Sequence, residues 1–483
     1  MKKSTGVAGI VIVLGIAYVG ASWYIGKQAQ TAIGQAVAQT NQRLVGMLGP
    51  DLGGNGPKVV ITDYQRHVFS SDVVYSLELK DSNGKLLVFK LKDHLQHGPL
   101  PFDAVRSGDL TPMMAQGSAV MVPTTATQKW FDSLKGESPV TATTRVGFAG
   151  TAQSTWKFKP LSLSEGKDTL EFGGGAVEVK FSNSFKDSTA SGLFASFHVI
   201  AAANNEDLLA KGIKFNSATT TLRANDVQLK SDAAIDDLVM ASGLDPTIHI
   251  KTMKVGLSSV RANNLLDGAL HYDFGQVAIG QADLGHIAVA VKGQRLDTEA
   301  LAALRAEYEG IKAKHHVKDD EDFLLTDAES VTMHARLAAL LASDPSVSID
   351  SLVWENDKGR SAIALNVDLM RPADKTTVDT GLDALLAQIV KRVNLNLSIS
   401  RPMFIQAVAQ SQSQPGSADN EQADQLGGLL FDQYAGRLRQ LGLIKMDKDN
   451  AVSAIQYENA MVVANGQKMT VPQFIQRVLG LLM

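Results

Sequence analysis

The chain has 483 residues, 45% of them hydrophobic and 20% charged, with a formal net charge of −4 and no cysteine. This is a globular composition, long enough for two or three ordinary domains or one large β-rich body. The absence of a basic excess argues against a grip on nucleic acid, and the absence of cysteine excludes disulfides, thiolate metal sites and a cysteine nucleophile.

Lys2 and Lys3 precede an apolar run from Gly6 to Ile25. Its length, about 20 residues, suffices to cross a hydrocarbon core as a helix. Trp23 and Tyr24 stand at the far end, where amphipathic rings favour the membrane interface. The paired lysines place the N-terminus in the cytoplasm and the bulk of the chain across the membrane, behind a single-pass anchor. A cleaved signal peptide is the alternative, with a small-x-small site within Ala17 to Ala21, but the apolar run continues past it. Ala17 and Ala21, like Ser22 and Gly26, are four apart, a spacing that lets helices approach closely and predicts a homodimer.

Residues 27–56 read as a helical stalk, with Ile33, Val37, Leu44 and Leu48 near helical spacing, followed by a Gly/Pro linker. Period-2 alternation then marks half-buried strands. Tyr75, Leu77 and Leu79 alternate with polar residues, Asn83-Gly84 forms a turn, and Leu87, Phe89 and Leu91 continue the hairpin. The pattern recurs at 177–181, 270–274, 287–291, 363–369 and 393–399. The triple glycine at 173–175 lies in this β context with no helix behind it, so it predicts a turn or bulge and no phosphate cradle.

Helical periodicity enters in the C-terminal half. Leu301, Leu304, Tyr308 and Ile311 share a face behind Asp297 as cap, and Thr326 to Glu329 form a capping box. Further helices are predicted through Leu382 to Ile389, through Leu429 to Leu438, and from Thr470 to Met483, with a polar loop from Ser411 to Asp424. The expected fold is α+β: an N-terminal transmembrane helix, then a large β-rich body built on a long curved, mostly antiparallel sheet, with helices mainly in the C-terminal half. The expected divisions are 1–26 (cytoplasmic tip and anchor), 27–56 (stalk and linker), 57–295 (β-rich) and 296–483 (mixed helix and strand, continuous with the preceding sheet).

Gly-x-Ser-x-Gly, the P-loop, His-Glu-x-x-His and the EF-hand loop are all absent, so no catalytic residue, metal ligand or cofactor is assigned. His94 and His97 are three apart in a strand context, which sends them in different directions rather than to one metal. His315 and His316 precede an acidic run that reads as a solvated link between helices.

A set of motifs in fixed order carries a family resemblance. It comprises Tyr64 to Ser71 (with Phe69), His97-Gly98-Pro99-Leu100-Pro101, Phe131 to Pro139 (with Gly136), Arg145 to Gly150 (with Gly147), Tyr457-Glu458-Asn459, and Asn465-Gly466 to Met469. Together they resemble the YdgA-like family of proteobacterial envelope proteins, over nearly the whole chain. The resemblance implies one inner-membrane helix and a large periplasmic domain, and brings no catalytic residues with it. The motif positions also carry turn chemistry, and Phe131 and Trp354 read as core anchors. Two functions are expected from these readings. The first is a non-enzymatic envelope protein whose periplasmic domain binds a hydrophobic ligand such as lipid, or serves as a scaffold for an envelope protein partner. The second is a periplasmic hydrolase acting on lipid or cell-wall material, with Tyr64, Arg66, His94 and His97 as its first suspects.

Overall fold

A computed structural model describes residues 57–80, 84–182, 186–223, 226–243, 245–315, 323–372, 388–412 and 420–479, with ten positions between 22 and 41. Those ten positions are all helical. Apart from Ser22 and Tyr24, the apolar run lies outside the described residues, as does Trp23; Tyr24 is helical and exposed. No helix among the described residues is long and apolar enough to cross a membrane.

The described residues form twenty-two strands, every pairing antiparallel, and the chain divides into two compact units, residues 1–220 and 221–483. The first unit holds β1 (Lys58–Arg66), β2 (Ser70–Lys80), β3 (Leu86–His97), α1 (Phe102–Arg106), β4 (Ala115–Val122), α2 (Gln128–Ser133) and β5 (Val140–Val146). It continues with β6 (Ala152–Phe158), β7 (Leu161–Glu165), β8 (Asp168–Phe172), β9 (Gly175–Ser182), β10 (Asp187–Ala201) and most of β11 (Glu206–Arg223). β1 to β6 pair in sequence, β6 pairs with β9, and β9 with the first half of β10. The β7–β8 hairpin pairs with the second half of β10, and the switch between its partners falls at Gly173 to Gly175. Gly174 there has φ +77°, so the predicted turn is present and needs glycine. The hairpin read at Tyr75 to Leu91 is β2–β3, with Tyr75 opposite Leu91 and Leu77 opposite Phe89; Asn83 of its turn lies outside the described residues.

The second unit holds β12 (Asp226–Ser242), β13 (Ile248–Ala262), β14 (Leu265–Ile279), β15 (Ala282–Asp297), α3 (Thr298–His315), α4 (Asp327–Leu340), β16 (Ser346–Asn356), β17 (Gly359–Leu369) and β18 (Val390–Ser400). Then come α5 (Arg401–Gln412), α6 (Asn420–Gln440), β19 (Lys445–Asp447), β20 (Asn450–Glu458), β21 (Met461–Ala464), β22 (Gln467–Thr470) and α7 (Val471–Leu479). β12 to β18 form a meander closed by β20.

The caps read from the sequence are present. Asp297 Oδ1 accepts from the backbone N–H of Glu299 and Ala300 at 3.0 and 2.9 Å, and Thr326 with Glu329 closes a reciprocal capping box at the start of α4. Trp354 Nε1 donates to the Leu284 carbonyl at 2.5 Å. The polar loop expected at 411–424 is shorter than read: α5 runs through Gln412 and α6 begins at Asn420, and Glu421, Gln422 and Asp424 are exposed positions of α6. Leu382, Leu385 and Leu386 lie outside the described residues.

Fully buried apolar side chains gather in small groups. In the first unit, Met121, Phe131 and Val140 are packed by Phe89, Leu91, Trp130, Trp156 and Phe158. In the second, Phe431 and Ala435 of α6 meet Ile444 and Ala451.

Candidate functional site

Residues directly opposite in an antiparallel ladder project from the same face, so the register shows which side chains share a surface. One row in the first unit runs Tyr64, Val73, Asp93, Ala119, Ala142, Trp156 across β1 to β6. The next row includes Ile61, Tyr75, Leu91 and Met121. These two rows are apolar but for Asp93 and the two tyrosines; in the row beyond Asp93, Leu95 and Gly117 lead to Thr144 and Ser154, whose hydroxyls share a 2.8 Å hydrogen bond.

Two cavities lie along it, of about 480 and 450 Å³, sharing Leu77, Leu91 and Trp156 as walls. Both fall in the size range of small-ligand pockets. The first is bounded by Tyr75, Leu95, Ala115, Ala119 and Val146, and is capped from the N-terminal helix by Ile33 and Val37. Asn41 of that helix is tied to β1: its side-chain amide exchanges two 2.8 Å hydrogen bonds with the backbone of Val59. The second is lined by Phe89, Trp130, Phe158, Phe172 and Phe197 among others. Beyond it the rings of Phe158, Phe194 and Phe215 continue the apolar surface, with centroids 5.6 and 6.5 Å apart. The result is an apolar trough.

Among the residues lining the first cavity, which Tyr75 and Thr144 also border, Asp93 is the charged one. Its residue is only 8% exposed, and Oδ1 has no hydrogen-bond partner. Burial pushes its carboxyl up to about 6, opposed by His94 and by the Ser118 backbone N–H, while Asp72 adds to the rise. Gly117 makes room for it: a Cβ at that position would stand 2.8 and 3.0 Å from the two carboxylate oxygens. Tyr75 on the neighbouring strand has its hydroxyl shifted upward by burial and by the Asp93 charge. The Tyr64 hydroxyl is buried without a partner.

A buried carboxyl whose folded pKa is raised costs stability once it ionises. The folded state binds the proton more tightly than the unfolded state, so stability falls as pH rises from about 4 through about 6 and is level above. A shift of that size corresponds to at most about 3 kcal/mol. Asp93→Asn should therefore raise the unfolding midpoint at pH 8 and leave it nearly unchanged at pH 4. The groups that bear on Asp93, namely Tyr75, His94 and Asp72, are the same in both proteins. Thermal unfolding at the two pH values checks this, and equal effects at both would contradict it.

The motif residues fall in several places. His97 is buried: Nδ1 donates to the Val68 carbonyl at 3.3 Å and Nε2 accepts from Ser71 Oγ at 2.9 Å, and burial pulls its pKa down. His94 lies on the opposite face of β3, with Nδ1 3.0 Å from an Asp72 carboxylate that this contact holds below the usual range. The two histidines thus diverge as the strand spacing predicts. Tyr64, Arg66, His94 and His97 line neither apolar cavity. Phe69 meets the Phe102 ring edge-on at 6.0 Å. Gly98 N–H donates to Met114 O and Met113 N–H to Pro99 O, at 2.8 and 2.9 Å, which locks the Gly98-Pro99 turn to the chain before β4. Phe131 is core, Pro139 is buried against the second cavity, and Gly136 holds φ +85°. Gly147 lies close against Thr151, whose carbonyl accepts from its N–H at 2.8 Å.

Asn465 and Gly466, both at positive φ, make the turn between β21 and β22. Asn465 bridges Ala454 N and Gly442 O at 2.9 and 3.0 Å. They border a hollow of about 720 Å³ in the second unit, whose rim also carries Asp350, Arg360 and Lys445. Its walls set Val353, Ile363, Leu397 and Val452 beside these charged residues.

Asp93 was missed from the sequence although its signal was there. Counted on from Leu87, Phe89 and Leu91, position 93 falls on the inward phase of the strand, ahead of Leu95. An acid on that phase marks either a bulge or a buried carboxyl.

A family model described as a bacterial protein of unknown function (DUF945) matches residues 1–472. The chain is 24% identical to Protein YdgA of Escherichia coli (strain K12), covering 98% of this chain and 96% of that protein. It is 22% identical to the uncharacterized protein YihF of the same strain, covering 99% and 98%. An uncharacterized protein of Haemophilus influenzae is 26% identical over 29% of this chain and 37% of its own. These matches bear out the resemblance carried by the ordered motifs. No solved structure matches significantly.

Proposed function

The chain belongs to the DUF945 family of bacterial proteins, and on that premise we propose that it holds the hydrocarbon part of an amphiphile in the trough of its first unit. In this reading the run from Gly6 to Ile25 is a single-pass inner-membrane anchor and the described body lies in the periplasm. The observation that carries the reading is the pair of adjoining apolar cavities, walled by Leu77, Leu91 and Trp156 and left open along the sheet. Closing such a surface with an acyl chain removes apolar area from water, at about 25 cal/mol per Å². The long alternating strands support the reading, because they leave the trough face half-buried.

The role is binding rather than catalysis. The four residues a hydrolytic reading calls on line neither cavity, and the Ser71–His97 pair is sealed from solvent. The test is lipid extraction and mass spectrometry of the chain purified in mild detergent, beside a mock purification. An enriched lipid is expected. A clean extract, together with failure of the chain to bind a fluorescent alkyl probe, would leave a scaffold for a partner as the remaining role.

A further inference from the structure

The trough has one charged group in its first cavity, and it is placed to do more than line a wall. We propose that Asp93 is the head-group anchor of the trough, its carboxylate taking the primary ammonium group of an amphiphile whose chain lies over Leu91 and Trp156. This inference rests on the reading of the trough as a hydrocarbon site.

The geometry supports it in three ways. First, Asp93 is more than nine-tenths buried, lines the cavity and leaves Oδ1 without a partner among the described residues. An unpaired buried acceptor costs free energy, and a donor arriving with the ligand removes that cost. Second, Gly117 keeps the space around the carboxyl open, since any side chain there would crowd both oxygens. Third, among the described residues no Lys, Arg or His lines this cavity, so an anionic head would face Asp93 with none of them to offset it. An ammonium group brings three N–H donors. One meets Asp93, and the hydroxyl oxygen of Tyr75, which lines the same cavity on the neighbouring strand, stands in the adjoining position to accept another. In the second cavity, by contrast, Lys159 is already paired with Glu137. With its pKa near 6, Asp93 is ionised at pH 8.

The shared chemistry, a primary amine on an apolar chain, has two sources: an ethanolamine phospholipid and a free long-chain amine. The test is displacement of a fluorescent alkyl reporter from the whole chain, held in amphipol at pH 8, by dodecylamine, dodecanol and dodecanoate. Lysophosphatidylethanolamine and lysophosphatidylglycerol form the second arm. Dodecylamine is expected to displace the reporter at a concentration at least ten times lower than dodecanol, with dodecanoate weakest. Asp93→Asn should erase the difference between amine and alcohol, while continued displacement of the reporter by dodecanol reports that the variant is folded. A preference for the ethanolamine lysolipid over the glycerol one supports the anchor with a phospholipid as source. A preference for dodecylamine alone supports it with a free amine. Equal displacement by amine and alcohol in the unmodified chain, or an amine preference that survives Asp93→Asn, overturns the anchor. Failure of amine and alcohol alike overturns the hydrocarbon trough itself.

Discussion

Gly98→Ala is expected to destabilise the first unit by about 3–5 kcal/mol, at the upper end of single-substitution effects. A Cβ at Gly98 would overlap the carbonyl oxygen of Met113, and the atoms it meets are backbone, which cannot rotate away as a side chain could. The backbone is also fixed from both sides. Gly98 N–H is bonded to Met114 O, and Met113 N–H to Pro99 O, while the Met113 side chain is buried. Relief would require breaking one of these bonds or pulling β4 away from β3, next to the first cavity. Gly136→Ala is the matched control. Gly136 also sits in a motif, but at φ +85° with open space where the Cβ would stand, so only the left-handed backbone penalty of about 1–2 kcal/mol applies. Denaturant unfolding followed by tryptophan fluorescence compares the two, since Trp130 and Trp156 both lie in this unit. Equal and mild effects would mean that the Gly98 turn yields more easily than its packing indicates.

The second large effect is on binding. Ala119→Trp should reduce occupancy of the trough at least tenfold while shifting the unfolding midpoint little. Ala119 lies in the row between Asp93 and Ala142, is only half-buried, and faces open volume in the first cavity. An indole there fills space that the ligand would otherwise take. Val120, its neighbour in β4, projects to the other face and is 41% exposed. Val120→Trp should therefore leave binding intact. Loss of binding in both would point to a general disturbance of β4 rather than to a filled site.

Much of this arrangement was legible from residues alone, wherever one physical signal dominated. The β2–β3 hairpin was readable because its apolar and polar residues alternate cleanly about a glycine turn. The caps of α3 and α4 were readable because Asp297 and Thr326 satisfy nearby N–H groups by local chemistry. The strands β10 to β13 were largely invisible. Their faces mix Ala, Ser, Thr, Lys and Asp with scattered apolar residues, as in Thr189 to Phe197 and Lys230 to Met240, and both faces stay half-open, so no strict period emerges. The trough was beyond sequence reading for a different reason. It is assembled from single residues of β1 to β6, and only long-range register places Tyr75, Asp93, Ala142 and Trp156 side by side. The motif histidines drew attention instead, yet His97 proved to be a sealed tie to Ser71 and Val68, one residue before the Gly98-Pro99 turn. The N-terminal helix differs again. Its apolar positions Ile33 and Val37 were read as a stalk, and they lie against the sheet as the cap of the first cavity.

The most direct measurement is native mass spectrometry of the unmodified chain and Ala119→Trp, released side by side from the same detergent. The trough reading predicts a bound lipid mass on the unmodified chain that is absent or at least tenfold reduced on the variant, with both folded. The same lipid occupancy on both proteins, or none on either, would contradict it.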